Sequence, residues 1–378
     1  MTEAPAEILA RALAHHGAGE LDAAEAAYRT LIDLGSADPA PYANLAAIRR
    51  RAGDFEAART LIGQAIARAP DRPGLHRNLG NLLHEWGRLD QARAAYRAEL
   101  ARHPGDAEAQ AGLARVALSL GDYAEGWSMY DHREARSRAA TRGLAREWRG
   151  EPLAGRRLLI WPEQGFGDQI LAVRFLPRLD AQVTMVCMPQ LLRLFSGLPA
   201  HLIAHAETVA VPDYDLWALP LSLPFLLGGD PADLATTPYL AGTPRPTGGG
   251  GRVGVCWRGN ARPNPGRSLP PDLAQALLAL PGAVSLQPED SGARDFQDTA
   301  DLIAGLDWVV SIDTSVAHLA GAMGKPLLVL TMRNPPEWRW RTGADGRSVW
   351  YPSAEVLTQP TPGDWDSVIA AVKARWPA

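Results

Sequence analysis

A 34-residue register runs through the first third of the chain and constrains its fold more than any other feature. Glycines stand at 19, 53, 87 and 121, each step being 34 residues. Leu45, Leu79 and Leu113 keep the same step, as do the small residues Ala12, Ala46, Gly80 and Ala114. Tyr28, Ile62, Tyr96 and Tyr130 align, and Pro70 and Pro104 close successive units. Such a period describes a supersecondary unit that cannot bury its apolar face alone, so the units must stack. Two antiparallel helices per unit fit it: the small residue lets them approach, and the glycine permits the tight turn between them. The first unit departs at its end, with Ser36 in the place of proline. The fourth blurs into Gly126-Trp127 and Tyr130–Arg133, as terminal units do when they cap a stack. A stack leaves a groove suited to an extended peptide or a partner helix; a spacer or dimerisation arm is the alternative use.

Beyond this array, expected over residues 5–134, a polar stretch reads as a helical connector over 135–155. From Arg156 the pattern changes to short apolar runs alternating with helical stretches, the signature of parallel sheet with crossover helices. A short first lobe is expected over 156–246, with strands at 157–161 and 182–187. The four consecutive glycines from 248 to 251 mark a flexible joint. A second lobe over 252–378 has strands expected near 252–257, 283–287, 307–312 and 326–330. Its helices are expected near 271–280, 298–305, 314–323 and 363–375. Two lobes and a hinge make a cleft, and ligands of such sheets bind at the carboxyl ends of the strands.

Composition excludes several functions. The net charge of −4 argues against a nucleic-acid platform. The longest apolar stretch, Leu216 to Leu227, contains Pro220 and Pro224 and is too short to span a bilayer. No basic segment followed by an apolar one opens the chain, so the sequence predicts a cytoplasmic protein. Cys187 and Cys256 sit in apolar runs as buried free thiols rather than as a disulfide or a metal cluster.

Three motifs fall at strand ends. Trp161-Pro-Glu-Gln-Gly165-Phe-Gly167-Asp168 follows a strand and opens a helix, where Asp168 either faces the cleft or serves as a cap. Ser311-Ile-Asp313-Thr314-Ser315-Val-Ala-His318 repeats that arrangement, with backbone amides at 314–316 pointed at an anion. Trp257-Arg258-Gly-Asn260 ends a strand, with Arg262, Arg267 and Ser268 beyond it, a set suited to phosphate. Gln287, at the end of its own strand, joins that set. A cap for Asp313-Thr314, a structural role for His318 and a solvated arginine loop are the plainer readings. Asp213-Tyr-Asp215 has a metal-binding spacing but lacks a third ligand, so no metal site is expected.

In this order the motifs resemble the heptosyltransferase-like, family 9 glycosyltransferases. The closest likeness is to bacterial proteins in which tetratricopeptide repeats precede that unit and which carry stretches similar to Glu337–Trp340 and Trp350–Ser353. The overall plan is similar to O-GlcNAc transferase. The resemblance implies a helical tetratricopeptide-repeat array followed by an α/β unit of GT-B type with two Rossmann-like lobes. It implies inverting, metal-independent transfer of a sugar from a nucleotide-sugar, with no cofactor, to a protein acceptor held by the repeats, such as flagellin or another surface protein. Asp168 matches the family's catalytic base and Arg267 a basic residue on the donor phosphate. Asp313, Thr314 and His318 match the donor-binding segment, to which Gly165, Gly167, Trp257, Arg258, Asn260, Ser268, Gln287 and Ser315 are added. A non-catalytic repeat scaffold and a saccharide- or lipid-acceptor transferase are the alternatives.

Overall fold

The computed structural model describes residues 3–133, 144, 146–163, 165–231, 238–245, 252–260, 264–335 and 337–376. Residues 135–143 and 145 of the connector expected at 135–155, Gln164, the glycine run at 248–251 and Arg262 lie outside these. The rest of that connector is not helical, which corrects the expectation: Arg146–Trp148 run extended beside Trp217, the Trp148 N–H donating to the Trp217 carbonyl and the Trp217 N–H to that of Arg146. The chain divides into two compact units, one of residues 1–132 with 334–336 and the other of residues 133–333 with 337–378.

The first unit is a run of helices: α1 (Pro5–Ala18), α2 (Leu21–Asp33), α3 (Ala40–Arg51), α4 (Phe55–Arg68), α5 (Leu75–Glu85), α6 (Leu89–Arg102), α7 (Ala107–Leu120) and α8 (Tyr123–Tyr130). The repeated glycine is the device that joins each pair. Gly19, Gly53, Gly87 and Gly121 have φ of 79°, 78°, 75° and 85°, a region that favours glycine. At each, the glycine N–H and the following N–H turn back onto carbonyls of the preceding helix, for example Gly53 onto Arg50 and Asp54 onto Arg49. The orphan carbonyls of the helix end are thereby satisfied. The aligned small and aromatic positions meet. Tyr96 is fully buried against Gly80, where an added Cβ would lie 2.7 Å from the ring. Buried Glu99 on α6 accepts the N–H groups of Gly74 and Arg77 and so caps α5, whose own cap position is Gly74 and offers no side chain.

The second unit holds two parallel sheets. The first has β1 (Arg157–Ile160), β2 (Gln182–Cys187), β3 (His201–Ala204) and β4 (Leu216–Ala218), in the order β3-β2-β1-β4. Two of these, β3 and β4, were not expected from the sequence. β3 is a half-exposed edge, and β4 is hidden in the apolar run that continues through two prolines. The second sheet has β5 (Val253–Cys256), β6 (Ala283–Ser285), β7 (Trp308–Ile312), β8 (Leu327–Thr331) and β9 (Ala354–Thr358), in the order β6-β5-β7-β8-β9. β9 is likewise an addition. Helices α9 (Phe166–Ala172), α10 (Pro271–Leu278), α11 (Phe296–Ala304), α12 (Ser315–Ala322) and α13 (Trp365–Lys373) accompany the sheets. Val253, Val255, Val310, Ile312, Leu328 and Leu330 pack with Trp365, Val368, Ile369 and Val372 of α13 as one core. In the second sheet the strand order reverses between β5 and β7, the point at which such sheets bind ligands. None of the described helices is long and apolar enough to cross a membrane.

Candidate functional site

A cavity of about 860 Å³ opens at that switch point. One wall is the turn before α9, and the other is formed by the ends of β5 and β7 and the start of α12.

On the first wall, Gly165 is the cap of α9 and Asp168 is its third residue, so the reading of Asp168 as the cap is corrected. Its Oδ2 accepts the Gly165 N–H at 3.2 Å. Its Oδ1 accepts from Arg339 Nε at 2.9 Å and Nη2 at 2.5 Å. Arg339 also donates to Glu337 at 2.6 Å, and all three residues border the cavity. Gly167 is small for a reason: a Cβ there would lie 2.5 Å from His318 Cδ2. That absence lets α9 lie directly on α12.

On the second wall, Gly259 is pressed between Thr314 and Arg267, where an added Cβ would meet Thr314 Cγ2 at 2.9 Å and Arg267 Nε at 3.3 Å. Arg267 donates through Nη2 to the Asn260 carbonyl, and its buried Nε has no partner among the described residues. Thr314 stands at the cap position of α12 but does not cap it. Its hydroxyl is turned to Ser311 Oγ at 3.1 Å and Cys256 Sγ at 3.6 Å. The first-turn amides of α12 are therefore left without a side-chain cap beside the cavity, and the helix dipole favours an anion there. Burial, and next the Glu337 carboxylate, push the Asp313 carboxyl up to about 6, although Trp340 Nε1–H donates to its Oδ1 at 2.7 Å. His318 is buried with Nδ1 2.9 Å from the Tyr351 hydroxyl. Burial, then Arg339 and Arg174, hold its pKa well below the ordinary value.

The structure thus brings Gly165, Gly167, Asp168, Arg258, Asn260, Arg267, Gln287, Asp313, Thr314, Ser315 and His318 to one cavity. Arg258 is there as a rim residue, exposed and paired with Glu289. Gln287 donates to the Arg258 carbonyl at 3.1 Å and so holds the end of β5. Two expected donor contacts lie elsewhere. Trp257 packs on the core of the second sheet, because side chains alternate along a strand and its neighbour Cys256 takes the cavity side. Ser268 accepts the Gly259 N–H at 3.2 Å and shapes the loop from behind. Asp215 binds the backbone N–H and guanidinium of Arg157, which explains the Asp-x-Asp spacing without a ligand. Among the described residues no group of three potential metal ligands occurs.

Arg339, Glu337, Trp340 and Tyr351 were not expected in the site. Their signal is the concentration of tryptophan, tyrosine and charge in Glu337–Trp340 and Trp350–Tyr351, within a segment that carries no regular period.

Residues 43–100 and 85–126 match the tetratricopeptide repeat family, and residues 291–344 match glycosyltransferase family 9 (heptosyltransferase). That segment includes Asp313, the start of α12 and Arg339, whereas Asp168 and Arg267 lie outside it. Among curated relatives, Protein FlbA of Caulobacter vibrioides is 25% identical over 391 residues, covering 85% of this chain and 64% of that protein. The chain therefore spans less than two thirds of that relative. Cellulose synthase operon protein C of Pseudomonas fluorescens is 38% identical over 82 residues, which is 22% of this chain and 6% of that one. Among solved structures, an O-GlcNAc transferase mutant of Thermobaculum terrenum gives a TM-score of 0.36 at 17% identity, covering 98% of this chain and 91% of that one. MamA gives 0.34 at 17% identity over 36% of this chain and 81% of its own.

Proposed function

We propose that the chain is a glycosyltransferase that binds a nucleotide-sugar in this cavity and transfers the sugar, with inversion, to a hydroxyl of a protein acceptor selected by the repeats. The observation that supports it most is a pair of unused cationic features on one wall. The buried, unpartnered Nε–H of Arg267 and the uncapped amides of α12 lie beside the same cavity. A departing nucleotide phosphate carries the charge that such donors stabilise, and they need not reorganise to do so. In this reading no metal is required, because the guanidinium and the helix start take the developing negative charge.

Across the cavity, Asp168 is the general base. Two N–H groups of Arg339 and one of Gly165 hold its carboxylate oriented, and an ionised carboxylate only accepts, which suits an acceptor hydroxyl proton. The acceptor oxygen attacks the anomeric carbon, the bond to the donor phosphate breaks, and the proton passes to Asp168. The tetratricopeptide repeats support a protein acceptor, since stacked repeats present an extended binding surface.

Calorimetry with nucleoside diphosphates, uridine and guanosine forms among them, tests the donor site. Arg267→Ala is expected to weaken binding by about 1.5–3 kcal/mol, the scale of a hydrogen bond to a charged group. Unchanged affinity would place the phosphate elsewhere. Slow hydrolysis of the nucleotide-sugar by purified protein separates an active enzyme from a scaffold that has kept the fold alone.

A further inference from the structure

His318 is enclosed on three sides by groups that decide which of its nitrogens carries hydrogen. Its ring lies 4.8 Å from that of Trp340 and 5.6 Å from that of Tyr351, with Gly167 against the Cδ2 edge. Nδ1 is 2.9 Å from the Tyr351 hydroxyl, and either atom of that pair can donate according to the tautomer. Nε2 has no protein partner among the described residues, and His318 borders the cavity.

The direction of the Nδ1 hydrogen bond follows from what lies behind Tyr351. The Arg174 guanidinium sits 4.7 Å from the Tyr351 ring, 4.8 Å from that of Tyr239 and 5.8 Å from that of Trp350. It donates to the Trp350 carbonyl and to the Tyr239 hydroxyl, both at 2.9 Å, and no carboxylate pairs with it among the described residues. Tyr239 gives its own proton to the Ile170 carbonyl at 3.1 Å, and its oxygen already accepts from Arg174. A phenol beside an uncompensated cation turns its oxygen toward the charge and its hydrogen away. The Tyr239 hydroxyl also bonds to that of Tyr351, but it lies on the Arg174 side and already accepts from the guanidinium, so the acceptor on the side away from the charge is His318 Nδ1. If Nδ1 accepts, a neutral imidazole carries its hydrogen on Nε2.

We propose that Tyr351 and Arg174 hold His318 as the neutral Nε2–H tautomer, which offers that N–H to the cavity as a fixed hydrogen-bond donor to a phosphoryl oxygen. The ligand assigned rests on the proposed donor site; the tautomer does not. The charged groups facing the ring agree on the neutral state. Burial opposes a second proton first, and Arg339 from the 338–340 turn and then Arg174 from behind Tyr351 oppose it further. Asp168 is paired with Arg339, and Asp313 takes the Trp340 N–H, so neither carboxylate bonds to the imidazole. His318 is thereby a binding residue and not the base of the reaction, and Tyr351 is a positioning residue acting through it.

Long-range proton–nitrogen spectra of the full chain labelled with ¹⁵N-histidine, with the His318 signals identified by their loss in His318→Gln, decide the tautomer. Nε2 is expected to show the protonated signature and Nδ1 the acceptor signature, unchanged between pH 5 and 8. An Nδ1–H tautomer, or an imidazolium forming in that range, would overturn the proposal. In Tyr351→Phe, with the fold checked by circular dichroism, the pattern is expected to become mixed or to titrate; if that variant does not fold, the wild-type spectrum still decides. Inorganic pyrophosphate tests the ligand. Its addition is expected to shift the Nε2 hydrogen, and His318→Leu to lose roughly tenfold to a hundredfold in affinity, while His318→Gln, which keeps an N–H, retains most of it. Binding that is sensitive to Arg267→Ala but indifferent to His318→Leu would overturn the role of His318 alone. Absence of pyrophosphate binding would overturn the donor site and the ligand assigned to His318 together, with the tautomer judged on its own spectrum.

Discussion

Asp168 and Arg339 form a pair in which each side chain is about 15% exposed, at 15% for the arginine and 14% for the carboxylate. A carboxylate so placed can work as a base, or it can simply anchor the 338–340 turn to α9. Two substitutions separate these roles. Asp168→Asn keeps an oxygen for the Gly165 N–H but cannot take a proton, and general-base loss costs about 10²–10⁴-fold in turnover. Arg339→Met breaks the same pair and leaves the carboxylate in place. If Asp168 is the base, the first variant is slower by far; equal losses in steady-state turnover would reduce Asp168 to an anchor. Asp313 makes a pH prediction. Its folded pKa of about 6 lies above the ordinary 3.8, so its contribution to stability is fully present below about 3.8 and is lost as pH rises through 6. Asp313→Asn, which can still accept from Trp340, is therefore expected to be more stable than wild type at pH 7.5 and equal to it near pH 4 in urea unfolding. A gap of the same size at both pH values would contradict the assignment. The glycines and polar residues at strand ends were legible in sequence because turns and helix starts demand particular residues. Arg339 and Tyr351 were not, because their place depends on a long irregular segment whose path no local period specifies.

Elements are where close approach matters. Gly53 and Gly167 are both required, for opposite reasons. Gly53 has φ of 78° and nothing within 4 Å of a would-be Cβ, so Gly53→Ala is strained by backbone alone. A loss of about 1 kcal/mol is expected, seen as a lower urea midpoint at unchanged slope. Gly167 has ordinary helical geometry, and alanine would favour the helix by about 1 kcal/mol. Its Cβ would collide with His318, so Gly167→Ala is instead expected to cost about 1–3 kcal/mol and to disturb the cavity. A stabilised Gly167→Ala would show that α9 does not lie directly on α12. The long strands and helices of the second lobe were legible in the sequence because they are apolar throughout or strongly periodic. β3 and β4 were not: a four-residue edge strand and a three-residue strand leading into prolines have too few positions to establish a period.

At the scale of the whole molecule, the change from a 34-residue register to strand–helix alternation marked the division into two units, because the two patterns cannot share a core. Each unit has its own clusters of buried side chains. The sequence does not show where to cut between them. Arg133 belongs by contact to the second unit: it donates to both oxygens of Glu163, at 2.7 and 2.6 Å, and to Ser222, and all three are buried. Glu163 in turn accepts the Leu221 N–H at 2.8 Å and so joins the end of β1 to the segment after β4. Removing one partner of a buried ion pair strands the other, at about 3–5 kcal/mol. Deletion of residues 1–132 is therefore expected to leave nucleotide binding intact, whereas deletion of 1–134, which also removes Arg133, lowers the unfolding midpoint of the remaining unit. Both deletions are expected to abolish modification of the natural protein acceptor if the repeats select it. Acceptor modification undiminished in the 1–132 deletion, measured by mass spectrometry beside donor affinity, would mean that the second unit recognises its acceptor unaided and that the repeats serve another purpose.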